Sequence, residues 1–157
     1  MIQRKQTIFL ILALFSFVSL FVFPFADFPL GTQVTCYISI LGIQNLDGFT
    51  KFNYMFVIMQ ILATLFISLC GIAVFMYKKR PLQVRLCAFA FLANVLMIGA
   101  MFLTVSMVTG ALGLENIPAS YQWPTYVPLI TLMLILLAQR AIRKDHAMIQ
   151  SLNRLRG

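Results

Sequence analysis

The chain has 157 residues, 61% hydrophobic and 10% charged, with a formal net charge of +8. A water-soluble domain carries about 25% charged residues, so this composition excludes an ordinary soluble globule. Nucleic acid is excluded as a partner too, because the basic residues gather at the ends of apolar runs and interleave with no aromatic surface.

Four apolar runs predict membrane-spanning helices at about 8–24, 54–77, 86–108 and 124–139. Each is near the roughly 17–25 residues that a helix needs to cross a bilayer. The first follows Arg4 and Lys5 and has Ser16 and Ser19 as its only hydroxyls. It exceeds the roughly 7–15 residues of a cleavable apolar core, and no small-x-small site follows it in Phe23-Pro24-Phe25-Ala26-Asp27. The expectation is a retained first helix, ended by Pro24 and Pro29.

Residues 27–53 form the longest expected loop. Val34, Cys36, Ile38 and Ile40 alternate there with Thr35, Tyr37, Ser39 and Leu41, the two-residue period of a strand. Asp47-Gly48 is a turn signal with Phe49 and Phe52 beyond it, so a β-hairpin or small sheet is expected over the helix ends.

The second run carries Gln60, Thr64, Ser68 and Gly71 on one helical face; the third carries Ala90, Ala93, Asn94 and Gly99 or Ala100. Small and polar residues let spans approach and bond, so these faces predict a seam between the second and third helices. Gln60, Ser68 and Asn94 are the candidate polar packing residues, with the lining of a small cavity as the other reading of Gln60 and Asn94. The connection from Lys78 to Gln83 allows only a tight turn. Tyr121, Trp123 and Tyr126 cluster before the fourth run, where amphipathic rings favour the headgroup layer. Beyond Gln139, residues 140–157 continue with an apolar seam of Ala141, Asp145, Met148, Leu152 and Leu155. This reads as a basic amphipathic helix that lies on the membrane or docks a partner.

Every basic residue except Lys51 falls on one side of the four runs. Lysine and arginine are retained in the cytoplasm, which predicts both termini inside. The fold class is therefore an all-α membrane protein. The expected architecture is a single domain, 1–157: a four-helix antiparallel transmembrane bundle with a small periplasmic β-hairpin and a cytoplasmic amphipathic C-terminal helix.

Chemistry is sparse. No Asp, Glu, Lys, Arg or His lies inside a run, which counts against a proton-coupled transporter. Cys36 has no outer partner, so thiol–disulfide exchange is not completed, and Cys70 and Cys87 read as small buried residues. His146, the only histidine, sits in the charged tail and supplies no metal site. No catalytic residue, cofactor or metal is expected.

Three motifs resemble one family. The opening Met1-Ile2-Gln3-Arg4-Lys5-Gln6-Thr7, the turn Leu82-Gln83-Val84-Arg85-Leu86-Cys87, and the tail Arg140-Ala141-Ile142-Arg143-Lys144-Asp145 with Ser151-Leu152-Asn153-Arg154-Leu155-Arg156 are involved. All three are similar to segments of the small four-span proteins from Bacteroidota catalogued as domain of unknown function 4293. Asn153 stands where that pattern has aspartate. The resemblance implies an integral inner-membrane protein and brings no activity.

The matching motifs would meet at the inner face. Arg4, Arg80, Arg85, Arg143, Lys144, Asp145, Met148 and Leu152 are thus candidates for a cytoplasmic docking surface, beside their role in orienting helices. The expected function is a non-catalytic accessory or assembly subunit of a bacterial inner-membrane complex. The alternative is a passive channel or carrier for an apolar or lipid-like solute. Expected partners are anionic lipid headgroups and a membrane protein, or a second copy of the chain.

Overall fold

Four helices carry the apolar runs: α1 (Lys5–Val22), α2 (Asn53–Phe75), α3 (Arg80–Ala111) and α4 (Val127–Leu155). The computed structural model describes residues 5–30, 34–44, 53–76, 79–113 and 119–155. The helix α2 and the stretches Pro81–Ala111 and Trp123–Asp145 are long and apolar enough to cross a membrane, while Thr7–Val22 is a shorter apolar helix.

Each helix packs on two others: α1 on α2 and α4, and α3 on α2 and α4. The core is built where one face of each helix turns inward. On α2 that face is Phe56, Met59, Ala63, Phe66, Cys70 and Ala73, at helical spacing. Phe66 stacks on Phe17 of α1 with ring centroids 4.1 Å apart, a contact worth about 0.5–1.5 kcal/mol beyond its buried area. The opposite faces are apolar as well: Phe15, Phe75, Phe89 and Met133 are all more than 60% exposed. Water would tolerate no such surface around a whole bundle, whereas hydrocarbon does.

Two boundaries differ from the sequence expectation. Helix α3 starts at Arg80, not near residue 86, because Pro81 occupies its first turn, where a missing N–H costs nothing. Arg85 therefore lies within the helix. Helix α4 is preceded by a 3-10 turn at Trp123–Tyr126 holding Pro124, and it then runs unbroken into the tail as far as Leu155.

The expected hairpin is a four-stranded antiparallel sheet of order β3-β2-β1-β4. Strand β1 (Ala26–Leu30) follows the exit of α1, and β2 (Val34–Ser39) pairs with it, Phe28 opposite Cys36. Strand β3 (Gly42–Gln44) returns along β2, and β4 (Ser120–Tyr121) adds to β1 from the approach to α4. The period-two reading of β2 holds, with Cys36 and Ile38 fully buried. Ile40 and Leu41 form the turn instead of the strand end, and Gly42 closes it at a φ of 144°, which side chains rarely adopt. The Asp47-Gly48 signal lies outside the described residues. Strand β1 was hidden by Pro29 within it and Pro24 just before it. Pro29 is tolerated because β4 pairs only with Ala26 and Asp27, leaving Pro29 on an unpaired edge.

Phe25 ties the sheet to the bundle. Its N–H donates to the Ile38 carbonyl at 2.9 Å, and its carbonyl accepts from the Gln122 N–H at 3.0 Å and the Thr125 hydroxyl at 2.5 Å. The Gln122 side chain donates to Asp27 Oδ1 at 2.7 Å. The exit of α1 and the entrance to α4 are thus fastened to one strand. On the α2 side, Gln60 Nε2 donates to the Ile40 carbonyl at 3.3 Å.

Candidate functional site

Among the described residues the buried polar side chains are Ser39, Gln83, Asn94, Thr104 and Thr131. In an apolar interior each must find a partner or cost the free energy of an unmade hydrogen bond. Asn94 on α3 donates through Nδ2 to the Thr131 hydroxyl at 2.7 Å and to the Pro128 carbonyl at 3.0 Å. Thr131 donates in turn to Pro128 O at 2.9 Å. The sequence placed Asn94 between the second and third helices; it joins the third to the fourth. Proline at 128 has no N–H of its own, and its carbonyl becomes the acceptor shared by two side chains.

Gln83 was read only as part of a turn. It is fully buried in the first turns of α3, and its Nε2 donates to the Ala73 carbonyl near the end of α2 at 3.0 Å. Helix ends leave their last carbonyls without intrahelical partners, and Gln83 supplies one from the neighbouring helix. The early start of α3 is the signal that places it there. Thr104 donates to the Ala100 carbonyl at 2.7 Å and meets Met59 Sδ of α2 at 3.3 Å. The acceptors Gln83 Oε1 and Asn94 Oδ1 are buried without a hydrogen-bond partner among the described residues.

The expected Gln60–Thr64–Ser68 seam against α3 does not form. Thr64 and Ser68 are exposed and Gln60 is half-buried, because the inward face of α2 is taken by Phe56, Met59, Ala63 and Phe66. The hydroxyls of Thr64 and Ser68 bond back to the Gln60 and Leu65 carbonyls at 2.7 and 2.8 Å. With Val57, Ile61 and Leu65 they line an open hollow of about 430 Å³ on the outside of α2. Two apolar grooves, one between α1 and α2 of about 180 Å³ and one between α2 and α3 of about 200 Å³, are smaller than the roughly 300–1,000 Å³ of a small-molecule site.

At the other end of the bundle, Lys79, Arg85, Arg140, Arg143 and Lys144 are exposed and Asp145 is half-buried. Arg85 and Arg140 sit at equal helical distance from the Asn94–Thr131 bond, on helices that approach it from opposite ends. Of the other docking candidates, Arg4 lies outside the described residues, as do the side chains of Arg80, Met148 and Leu152; so does the side chain of His146. Among the described residues no group of three His, Cys, Asp or Glu side chains is placed to hold a metal ion. Cys36, Cys70 and Cys87 are free thiols and all buried. Burial in the sheet pushes the Cys36 thiol above its ordinary pKa of 9.0, which suppresses the reactive thiolate.

These features define a mostly helical protein with three helices able to cross a membrane, capped at one end by a small antiparallel sheet. The family model described as Domain of unknown function (DUF4293) matches residues 2–155, and the chain belongs to that family. No curated protein matches it.

Proposed function

We infer that the chain is a four-span protein of a bacterial inner membrane and serves as a non-catalytic accessory or assembly subunit. In this reading α1 is the fourth span, consecutive helices run antiparallel, the sheet lies on the periplasmic side, and both termini are cytoplasmic. The clustering of Lys79, Arg85, Arg140, Arg143 and Lys144 at the end away from the sheet supports that orientation. Helix α1 has 18 residues, about 27 Å, and the apolar Phe23-Pro24-Phe25 extends it towards the sheet.

One observation carries the subunit reading. The amide nitrogens of Gln83 and Asn94 are engaged between helices, while the hydroxyls of Thr64 and Ser68 face outward from α2. Within a bilayer, hydroxyl and small side chains are what associating helices use at their contacts. The unbroken extension of α4 to Leu155 supplies a second exposed element at the basic end. Passive passage of an apolar solute has less support, since Gln60 borders the hollow outside α2 whereas Asn94 is bonded to Thr131 in the interior. Affinity purification in a mild detergent, with identification of what co-purifies, tests the proposal. A stoichiometric membrane-protein partner is expected; a clean homo-oligomer enclosing a polar passage would reverse it.

A further inference from the structure

Two side-chain contacts set the register of α2 against α3. Gln83 Nε2 meets the Ala73 carbonyl at 3.0 Å, and the Thr104 hydroxyl meets Met59 Sδ at 3.3 Å. Residue numbers fall on one helix as they rise on the other, so the two run antiparallel along their contact. Cys70 lies three residues before Ala73, and Cys87 four beyond Gln83. Each step is about one helical turn and keeps the side chain on the same face. Between the two contacts, Cys70 of α2 therefore faces Cys87 of α3.

Both side chains are buried, and the two thiols are close enough to interact electrostatically. Ala63, Ala73 and Ala90 are buried on the faces that carry them. Small residues let helix backbones approach closely, and a disulfide needs Cα atoms about 4.4–6.8 Å apart. Leu69, next to Cys70, and Phe89, two residues past Cys87, line the apolar groove between the same helices.

We propose that Cys70 and Cys87 are a site of oxidative modification, joined into an interhelical disulfide by a lipid-soluble hydroperoxide. The product suits its surroundings. A disulfide is neutral, whereas a monovalent soft cation held by two thiolates would leave net charge in an apolar interior. Burial keeps water-borne reagents from the sulfurs. The oxidant therefore arrives through hydrocarbon, a point that rests on the membrane-spanning reading given above. One sulfur attacks the peroxide O–O bond, takes the hydroxyl as a sulfenic acid and releases the alcohol. The other attacks the sulfenic sulfur, forms the S–S bond and releases water. One thiol hydrogen ends in the alcohol and the other in the water, and the sulfurs supply the two electrons that reduce the peroxide. The bond ties α2 to α3 one turn in from the Gln83–Ala73 joint.

Mass measurement tests this on the natural protein in phosphatidylcholine vesicles, treated with cumene hydroperoxide, then unfolded and alkylated. Untreated protein should take three alkyl groups, one for each free cysteine. Treated protein should take one, at Cys36, and weigh less by the two lost hydrogens, with Cys70 and Cys87 recovered in one cross-linked peptide. Cys70→Ala and Cys87→Ala should each prevent the bond, and Cys36→Ala should not. Hydrogen peroxide at the same concentration should be slower by about tenfold or more. Three alkyl groups after treatment, a bond to Cys36, a bond between two chains or a sulfinic acid in place of the bond overturns the pairing and leaves the spans intact. A Cys70–Cys87 bond formed equally fast by both peroxides overturns the hydrocarbon route and counts against the membrane reading.

Discussion

Asn94 donates through Nδ2 to the Thr131 hydroxyl at 2.7 Å, and the Thr131 hydroxyl donates in turn to the Pro128 carbonyl at 2.9 Å. This relay is the polar joint between α3 and α4. Side-chain bonds between spans contribute about 0.5–2 kcal/mol, so Asn94→Leu should cost no more than about 2 kcal/mol. Thr131→Val should cost less, because Asn94 keeps Pro128. A double-mutant cycle in detergent should give a coupling near about 1 kcal/mol. If Asn94→Leu abolished function in a folded, inserted protein, a transport role for this amide would replace the packing role.

Gln83 presents the second joint. Gln83→Met keeps the volume but leaves the Ala73 carbonyl at the end of α2 without its buried donor. A bared buried acceptor costs about 1–3 kcal/mol, and that loss should appear in the unfolding midpoint. Exposed Arg85, two residues further along α3, should tolerate Arg85→Lys with little change. An equal loss at both positions would mean that general surface charge, not the bond, holds this corner.

Thiol chemistry checks the orientation. Leu41 and Lys79 are exposed at opposite ends, so Leu41→Cys and Lys79→Cys should react with an impermeant maleimide from opposite sides of sealed vesicles. Cys36 is fully buried and should stay protected until the sheet is loosened. Its pKa is raised in the folded state, so its contribution to stability is complete below the ordinary thiol value and shrinks as pH rises past 9.0. The fall in unfolding midpoint between about pH 8 and about pH 10 should therefore be smaller in Cys36→Ala than in the natural protein. Rapid labelling of native Cys36 at neutral pH would contradict its placement beneath the sheet.

The two exposed elements make separable predictions about a partner. Thr64→Leu with Ser68→Leu removes the outward hydroxyls of α2 without touching the core, so a partner held there should be lost while the unfolding midpoint barely moves. Arg143→Glu with Lys144→Glu keeps helix formers and reverses charge at the basic end, where each residue is worth about 1 kcal/mol against an anionic leaflet. That pair should weaken vesicle binding of the tail and release a partner docked on it. Retention of the same partner at natural yield by both variants would sink the subunit reading.

Much of the architecture was legible in the residues because apolar length and helical period are local properties. The runs around Phe66, Met97 and Ile135 announced helices, the alternation of Cys36 and Ile38 announced a strand, and the basic residues marked one end. Family membership was legible too, through the opening, turn and tail motifs. What the residues could not show was which face of each helix turns inward. On α2 the polar stripe looked like the packing face, yet the volume of Phe56, Met59 and Phe66 decided the contest in favour of the other side. Gln83 and Asn94 found partners on helices the sequence does not name, since a hydrogen bond between distant segments leaves no periodic trace. Strand β4 exists only because Ser120 and Tyr121 are brought beside Ala26 and Asp27 by the packing of α1 on α4. A two-residue strand has no pattern of its own, and only the tertiary structure creates its edge.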